Sequence, residues 1–214
     1  MGEQPISFTL YNRLTRYINH LKRLPADTIN ISATMIAESL GLNDVQVRKD
    51  LALVSAGGKP KVGYSVSSLA LDLEKFLGWD NYSEAVLVGV GNLGKALLSY
   101  TNFETYGLKI VVAFDENVKI VGKEINGVKI LHSHKIADLC KRMNIKIGII
   151  AVPEGSAQEV CNMMIDGGIR AVWNFSPIHL DVPENVVMKQ EDMAASVTLL
   201  TGMLRQNIEK YGIN

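Results

Sequence analysis

Residues 85–94 read AVLVGVGNLG, four apolar residues running straight into glycines at 89, 91 and 94. An apolar run that ends in G-x-G-x-x-G describes a buried strand turning sharply into a helix, and KALLSY (95–100) continues that helix. The glycines have separate tasks. Gly89 makes the tight turn, Gly91 lets the backbone approach a pyrophosphate, and Gly94 lets the helix pack closely on the strand. A second strand, LKIVVAF (108–114), closes on Asp115, 21 residues past Gly94. That spacing suits a carboxylate that accepts hydrogen bonds from ribose hydroxyls. The helix start supplies oriented N–H groups for phosphate. Gly89, Val90, Gly91, Asn92, Leu93, Gly94 and Asp115 are therefore the expected dinucleotide site. Asp115 would repel a 2′-phosphate and no Arg follows it closely, so NAD(H) is expected rather than NADP(H).

The α/β rhythm continues downstream. Residues 134–144 read as a helix, KIGIIAVP (146–153) as a strand buried on both faces, 158–167 as a helix and IRAVWNFSP (169–177) as another strand. The expected class is α/β, with a Rossmann-type doubly wound parallel sheet. Loops at the strand C-termini line the ligand crevice in such sheets, which makes Val152, Pro153, Asn174, Phe175 and Ser176 expected neighbours of the cofactor. A last helix, from about Asp192 to Tyr211, carries Met193, Val197, Leu200, Leu204 and Tyr211 on a stripe close to a heptad seam. Such a stripe suits packing on its own domain or docking onto a second subunit.

The N-terminal third has a different pattern. Leu10, Leu14, Tyr17, Ile18, Leu21 and Leu24 form one helical stripe, ended by Pro25. After a short extended stretch at 29–31, Ser32 caps a second helix through Leu40, and Gly41 sits where a left-handed cap residue is wanted. Asn43 caps a third helix, NDVQVRKDLALVS (43–55), two residues later. Two helices joined this tightly read as a helix-turn-helix. Val47, Leu51 and Val54 should face inward; Val45, Lys49 and Ala52 then face outward, with Gln46 and Arg48 on the flanks. Gln, Arg and Lys reach base edges and phosphates from a helix in the major groove, whereas the same charges on another helix are only a solvated face. AGGKPKVGYSV (56–66) adds a basic-tipped hairpin around Lys59 and Lys61, with Val62, Tyr64 and Val66 alternating as a strand. This is the wing of a winged helix. Ser32 and Tyr64 are grouped with Gln46, Arg48, Lys49, Lys59 and Lys61 as expected DNA-binding residues. A further helix, SVSSLALDLEKFLGW (65–79), connects to the second domain.

Composition excludes several classes. The chain is neutral overall, but residues 1–65 hold eight Lys or Arg against five Asp or Glu, which directs a polyanion to that end. Its longest apolar runs, such as IGIIAV (147–152), fall short of the roughly 20 residues that span a bilayer. No membrane partner is expected. The N-terminus MGEQPISF lacks an export pattern, and Ile6 stands where N-myristoylation of Gly2 needs Ser or Thr. Cys140 and Cys161 are isolated, neither a disulfide framework nor a metal site, as in a cytoplasmic protein. His132, His134 and His179 have no partner motif for acid–base work or metal binding, so no catalytic residue is assigned and an enzyme is not expected.

QVRKDL (46–51) in a winged helix, VGY (62–64) closing a basic wing, the GVGNLG loop and a terminal apolar helix together resemble the Rex family of redox-sensing transcriptional repressors. The resemblance extends over nearly the whole chain. It implies a homodimer with exchanged C-terminal helices that binds double-stranded operator DNA, with NADH closing the dimer and releasing the DNA. It further implies that Tyr100 lies near the subunit interface and the nicotinamide, and that Asp192 pairs with a basic residue of the N-terminal domain in one conformation. Three places depart from the family pattern. Ala52 and Leu53 replace an aromatic pair, Pro60-Lys61-Val62 alters the wing, and Asn19 stands where the basic partner of Asp192 is expected. The expected organisation is a winged helix at 1–78, a Rossmann domain at 79–190 and an exchanged helix at 191–214. The residues alone leave two alternatives: a small NAD-dependent oxidoreductase, and a DNA-binding protein that responds to another nucleotide such as coenzyme A.

Overall fold

A computed structural model describes residues 7–212, and the reading of Gly2 and Ile6 lies outside them. The chain divides into two units. One runs to Tyr82 and takes in Thr105–Gly107; the other holds Ser83–Glu104 and continues from Leu108.

The first unit is built from α1 (Phe8–Leu21), β1 (Asn30–Ile31), α2 (Ala33–Leu40), α3 (Asp44–Val54), β2 (Tyr64–Ser65) and α4 (Val66–Leu77). The apolar stripe of α1 puts Leu14, Tyr17 and Ile18 out of contact with water, packed with Ile36, Val47, Leu51, Leu69 and Leu73. Ser32 and Asn43 cap α2 and α3 by accepting backbone N–H bonds, and Gly41 between them takes a left-handed φ of 62°. The sequence expectation needs two corrections. Helix α1 stops at Leu21 rather than Leu24, where the chain tightens into turns in which the Arg23 and Leu24 N–H groups donate to the His20 and Leu21 carbonyls. Val66 opens α4 rather than ending a wing strand: Ser65 caps it, and β2 pairs antiparallel with β1. The wing tip itself is closed by one bridge between Lys59 and Gly63. Trp79 extends this unit beyond α4, its indole edge-on to Tyr106 at 4.9 Å with the Lys22 ammonium 5.3 Å from its ring centre.

The second unit contains β3 (Ser83–Val88), α5 (Asn92–Ser99), β4 (Leu108–Asp115), β5 (Glu124–Ile125), β6 (Val128–His132), α6 (Ile136–Met143), β7 (Ile147–Ile150), α7 (Glu154–Asp166), β8 (Ala171–Asn174), β9 (Val187–Gln190) and α8 (Met193–Tyr211). The sheet order is β5-β6-β4-β3-β7-β8-β9, parallel throughout except at β5. Leaving β5 aside, this is the dinucleotide-binding order, winding one way from β3 through β4 to β6 and the other way through β7 to β9. Alternation along β3 serves both faces. Val86 and Val88 join a core with α6 and α7, while Ala85 and Leu87 join one with Leu98 of α5. Several spans differ from expectation. Strands β7 and β8 are shorter, α7 begins at Glu154, and a 3-10 turn (Ser133–Lys135) precedes α6, placing His132 at a strand end. The β5–β6 hairpin and β9 are new. Among the described residues no helix is long and apolar enough to cross a membrane.

Candidate functional site

Strand order reverses between β3 and β7, and a cleft of about 210 Å³ opens at their C-terminal ends, lined by Gly89, Gly91, Asp115, Val152, Pro153 and Ser156 among others. Gly89 is held at φ 94°, and a Cβ there would lie 2.5 Å from the Ala151 carbonyl oxygen, so only glycine can cross between the two strands. A Cβ on Gly94 would fall on the Gly89 carbonyl, which is how α5 comes so close to β3. Gly91, by contrast, faces open space. No side chain caps the N-terminus of α5, so the N–H groups of its first turn remain available to an anion. Asn92 is exposed and Leu93 half-buried on that turn, whereas the Val90 side chain belongs to the core.

Asp115 does two things. Its Oδ2 accepts the Val90 N–H at 2.7 Å and its Oδ1 accepts the Asn117 N–H at 2.8 Å, tying the end of β4 to the glycine loop. Each oxygen keeps a second lone pair for a ribose hydroxyl. A glycine cradle, uncapped N–H groups and an anchored carboxylate together fit a dinucleotide with an unphosphorylated adenosine ribose.

Three residues expected at this cleft are not among those that line it. Asn174 is fully buried, its amide donating to the Ile178 carbonyl at 2.9 Å and to Gln190 at 2.7 Å while accepting the Ser176 N–H, so it staples the ends of β8 and β9. Ser176 donates its hydroxyl to the Val152 carbonyl. Phe175 packs on Trp173, which meets Phe103, which in turn meets Tyr100 edge-on at 4.8 Å. Tyr100 ends α5, opposite the glycine loop, and lines a separate cavity of about 440 Å³ with Phe103 and Asn126. Asp192 caps α8 by accepting the Ala195 N–H at 2.8 Å, and Asn19 is half-buried on α1.

In the first unit α3 exposes Gln46, Arg48 and Lys49. Arg48 is held by Asp44 at 2.9 Å and by Thr34 at 3.2 Å. Gln46 donates to Asp50. Ser32 is occupied as the α2 cap. On the wing Lys59 and Lys61 are exposed, and Lys61 keeps a left-handed φ of 64° that side-chain residues seldom adopt. Tyr64 supports the wing from beneath: it is half-buried, and its ring leaves no room for a Cβ on Gly58.

Residues 80–178 match a family model described as "CoA binding domain", and residues 6–52 match one described as "Putative DNA-binding protein N-terminus". The redox-sensing transcriptional repressor Rex of Treponema denticola is 39% identical over 90% of this chain and 92% of its own. Rex of Porphyromonas gingivalis is 39% identical over 90% and 89%. The chain belongs to the Rex family of redox-sensing transcriptional repressors. Its fold agrees. A crystal structure of RSP in complex with β-NAD+ and operator DNA is matched at a TM-score of 0.90 with 32% identity, over 96% of this chain and 95% of that one. RSP, described as a Rex-family repressor, is matched at 0.87 with 30% identity when in complex with β-NADH, over 99% and 100%.

The chain also has features that the sequence patterns do not single out. Glu116, Ser133 and Val160 line the cleft with the glycine loop, contributed by strand ends and α7 that no motif marks. Asp50 of α3 is only 2% exposed and bonds Arg13 and Tyr17 of α1. Burial works to raise its pKa, but hydrogen bonds from Arg13, Tyr17 and Gln46 outweigh this and hold the carboxyl below its ordinary value. The same burial and the Asp50 contact push the Tyr17 phenol up. Cys140 and Cys161 are buried thiols, Cys140 pushed up to about 11 by burial. The His132 and His134 rings approach to 2.9 Å, and among the described residues no group of three His, Cys, Asp or Glu could hold a metal ion.

Proposed function

We infer that this Rex-family chain is a transcriptional repressor, not an enzyme, that binds double-stranded operator DNA and senses NAD(H). The observation that carries this reading is that one chain holds both a glycine cradle with Asp115 and a capped helix-turn-helix, on a fold matching at TM-score 0.90 a repressor crystallised with NAD+ and operator DNA. In this reading residues 1–78 bind DNA, 79–190 bind the dinucleotide and 191–214 dimerise. Gln46, Arg48 and Lys49 enter the major groove while Lys59 and Lys61 meet phosphates. The loop from Gly89 to Gly94 and the start of α5 hold the pyrophosphate, and Asp115 holds the adenosine ribose. When bound, the dinucleotide supplies the signal, because its oxidised nicotinamide carries a positive charge that the reduced one lacks. NADH closes the dimer and the operator is released. The protein works where DNA and free NADH meet, in the cytoplasm.

Helix α8 supports the dimer. It is exposed along its whole length, with Leu199, Leu200, Met203 and Leu204 all more than half exposed. An apolar face of this extent calls for a covering partner, and exchange between two subunits supplies one.

Coenzyme A is the competing ligand raised by the family-model match over residues 80–178. Its ribose carries a 3′-phosphate, which the Asp115 carboxylate disfavours for the same reason that it disfavours NADP(H). Calorimetric titration with NADH, NADPH and coenzyme A tests this. NADH should bind tightest, and tighter coenzyme A binding would overturn the NAD(H) assignment.

A further inference from the structure

The Asp50 carboxylate is fully occupied. Its Oδ2 accepts Arg13 Nε at 2.6 Å and the Tyr17 hydroxyl at 2.8 Å, and its Oδ1 accepts Arg13 Nη2 at 2.9 Å and Gln46 Nε2 at 2.8 Å. An ionised carboxylate can only accept. The chemistry therefore decides which way the Gln46 amide faces: the nitrogen turns inward to Asp50 and the oxygen turns away. Gln46 stands one turn before Asp50 on α3, exposed where Asp50 is buried. Among the described residues Gln46 Oε1 makes no hydrogen bond, and one Nε2 proton remains beside it.

We propose that Asp50 is a positioning residue that fixes the base preference of Gln46, making it an adenine reader. An acceptor next to a single donor complements the N6 amino group and N7 of adenine in the major groove. Guanine offers two acceptors there, O6 and N7, so it would set the fixed Oε1 against an acceptor. An unanchored glutamine could turn its amide over to suit guanine; one tied to a saturated, buried carboxylate cannot do so without breaking that bond. The anchor also removes side-chain freedom before the DNA arrives, so less is lost on binding. This inference rests on the reading of α3 as the recognition helix.

The test is selection by the full-length protein from a fully randomised double-stranded DNA library, followed by binding to duplexes that differ at single positions. Wild type should prefer adenine over guanine at one position per half-site, on the order of tenfold. Gln46→Met leaves the Arg13–Tyr17–Asp50 cluster intact and should abolish that preference at that position alone. Asp50→Asn should narrow it severalfold while leaving the salt dependence of binding unchanged, which a purely structural role would not do. If Asp50→Asn does not fold, the Gln46 side-chain NH2 signals of wild type decide by NMR. One proton shifted downfield and slow to exchange supports the anchor, and two solvent-like protons overturn it. A wild-type preference retained in Gln46→Met, or an equal affinity loss for every duplex in Asp50→Asn, also overturns the proposal. If wild type selected no sequence at all, the recognition-helix reading would fail first and take this inference with it.

Discussion

Asp115 and Asp50 are both acids that carry more than one hydrogen bond, yet only one of them is legible in the sequence. Asp115 follows a glycine motif at a spacing set by one βαβ unit, so local pattern finds it. The partners of Asp50 in α1 lie 33 and 37 residues away, a separation that no periodicity reports. In the sequence it is one more charge on a helix where Asp44 and Asp50 balance Arg48 and Lys49. Asp115→Ala should weaken NADH binding by tenfold or more, as loss of a charged hydrogen-bond acceptor does, and spare DNA binding in the absence of nucleotide. Calorimetry and gel shift measured together check both halves. For Asp50 the pH dependence follows from the sign of its shift. A carboxyl held below its ordinary value contributes stability that is complete above about pH 4 and is lost as pH falls through the lower folded value. Urea unfolding of Asp50→Asn should therefore show both lower stability at neutral pH and a flatter decline on acidification than wild type. An unchanged acid limb would contradict this.

At the scale of elements, the parts with strong local signals were the parts that could be read. Helices α2 and α3 are announced by Ser32, Gly41 and Asn43, and β3 by its apolar run into the glycine loop. The β5–β6 hairpin is the exception: it is absent from the sequence expectation although Asn126-Gly127 marks it, both residues taking the positive φ that an Asn-Gly hairpin turn requires. Strand β9 has no such mark. Its exposed residues alternate with half-buried ones at the sheet edge, so the apolar alternation that marks a strand is faint. For Asn174, position after a strand predicts nearness to the crevice, but its hydrogen-bond partners are set by Gln190 of β9, which no local pattern announces. Two predictions belong here. Lys49→Ala on α3 should weaken DNA binding about equally for all sequences and lower the salt slope by about 1, as measured by binding at several salt concentrations. Leu200→Asp with Leu204→Asp on α8 should turn the dimer into monomer in sedimentation equilibrium. A dimer that survived both would place the subunit interface elsewhere.

For the whole molecule, the two binding activities matter only if they are coupled. NADH can release DNA only to the extent that it binds the DNA-incompetent dimer more tightly than the competent one, and equal affinity would shift nothing. The chain has a cleft beside the glycine loop, a capped helix-turn-helix and an exposed α8, which the proposed reading makes the two ends of such a coupling and the link between two copies. Asn19 stands where a basic partner for Asp192 is expected and carries no charge, so a contact between these two residues would be a hydrogen bond rather than an ion pair. The measurement that bears most directly on the central claim is fluorescence anisotropy of a labelled duplex, chosen by selection from a random library, bound to the full-length protein in saturating NAD+ and titrated with NADH. The account predicts that NADH releases the duplex, at higher concentrations for Asp115→Ala than for wild type. Anisotropy that stayed constant with NADH far above its dissociation constant would contradict it.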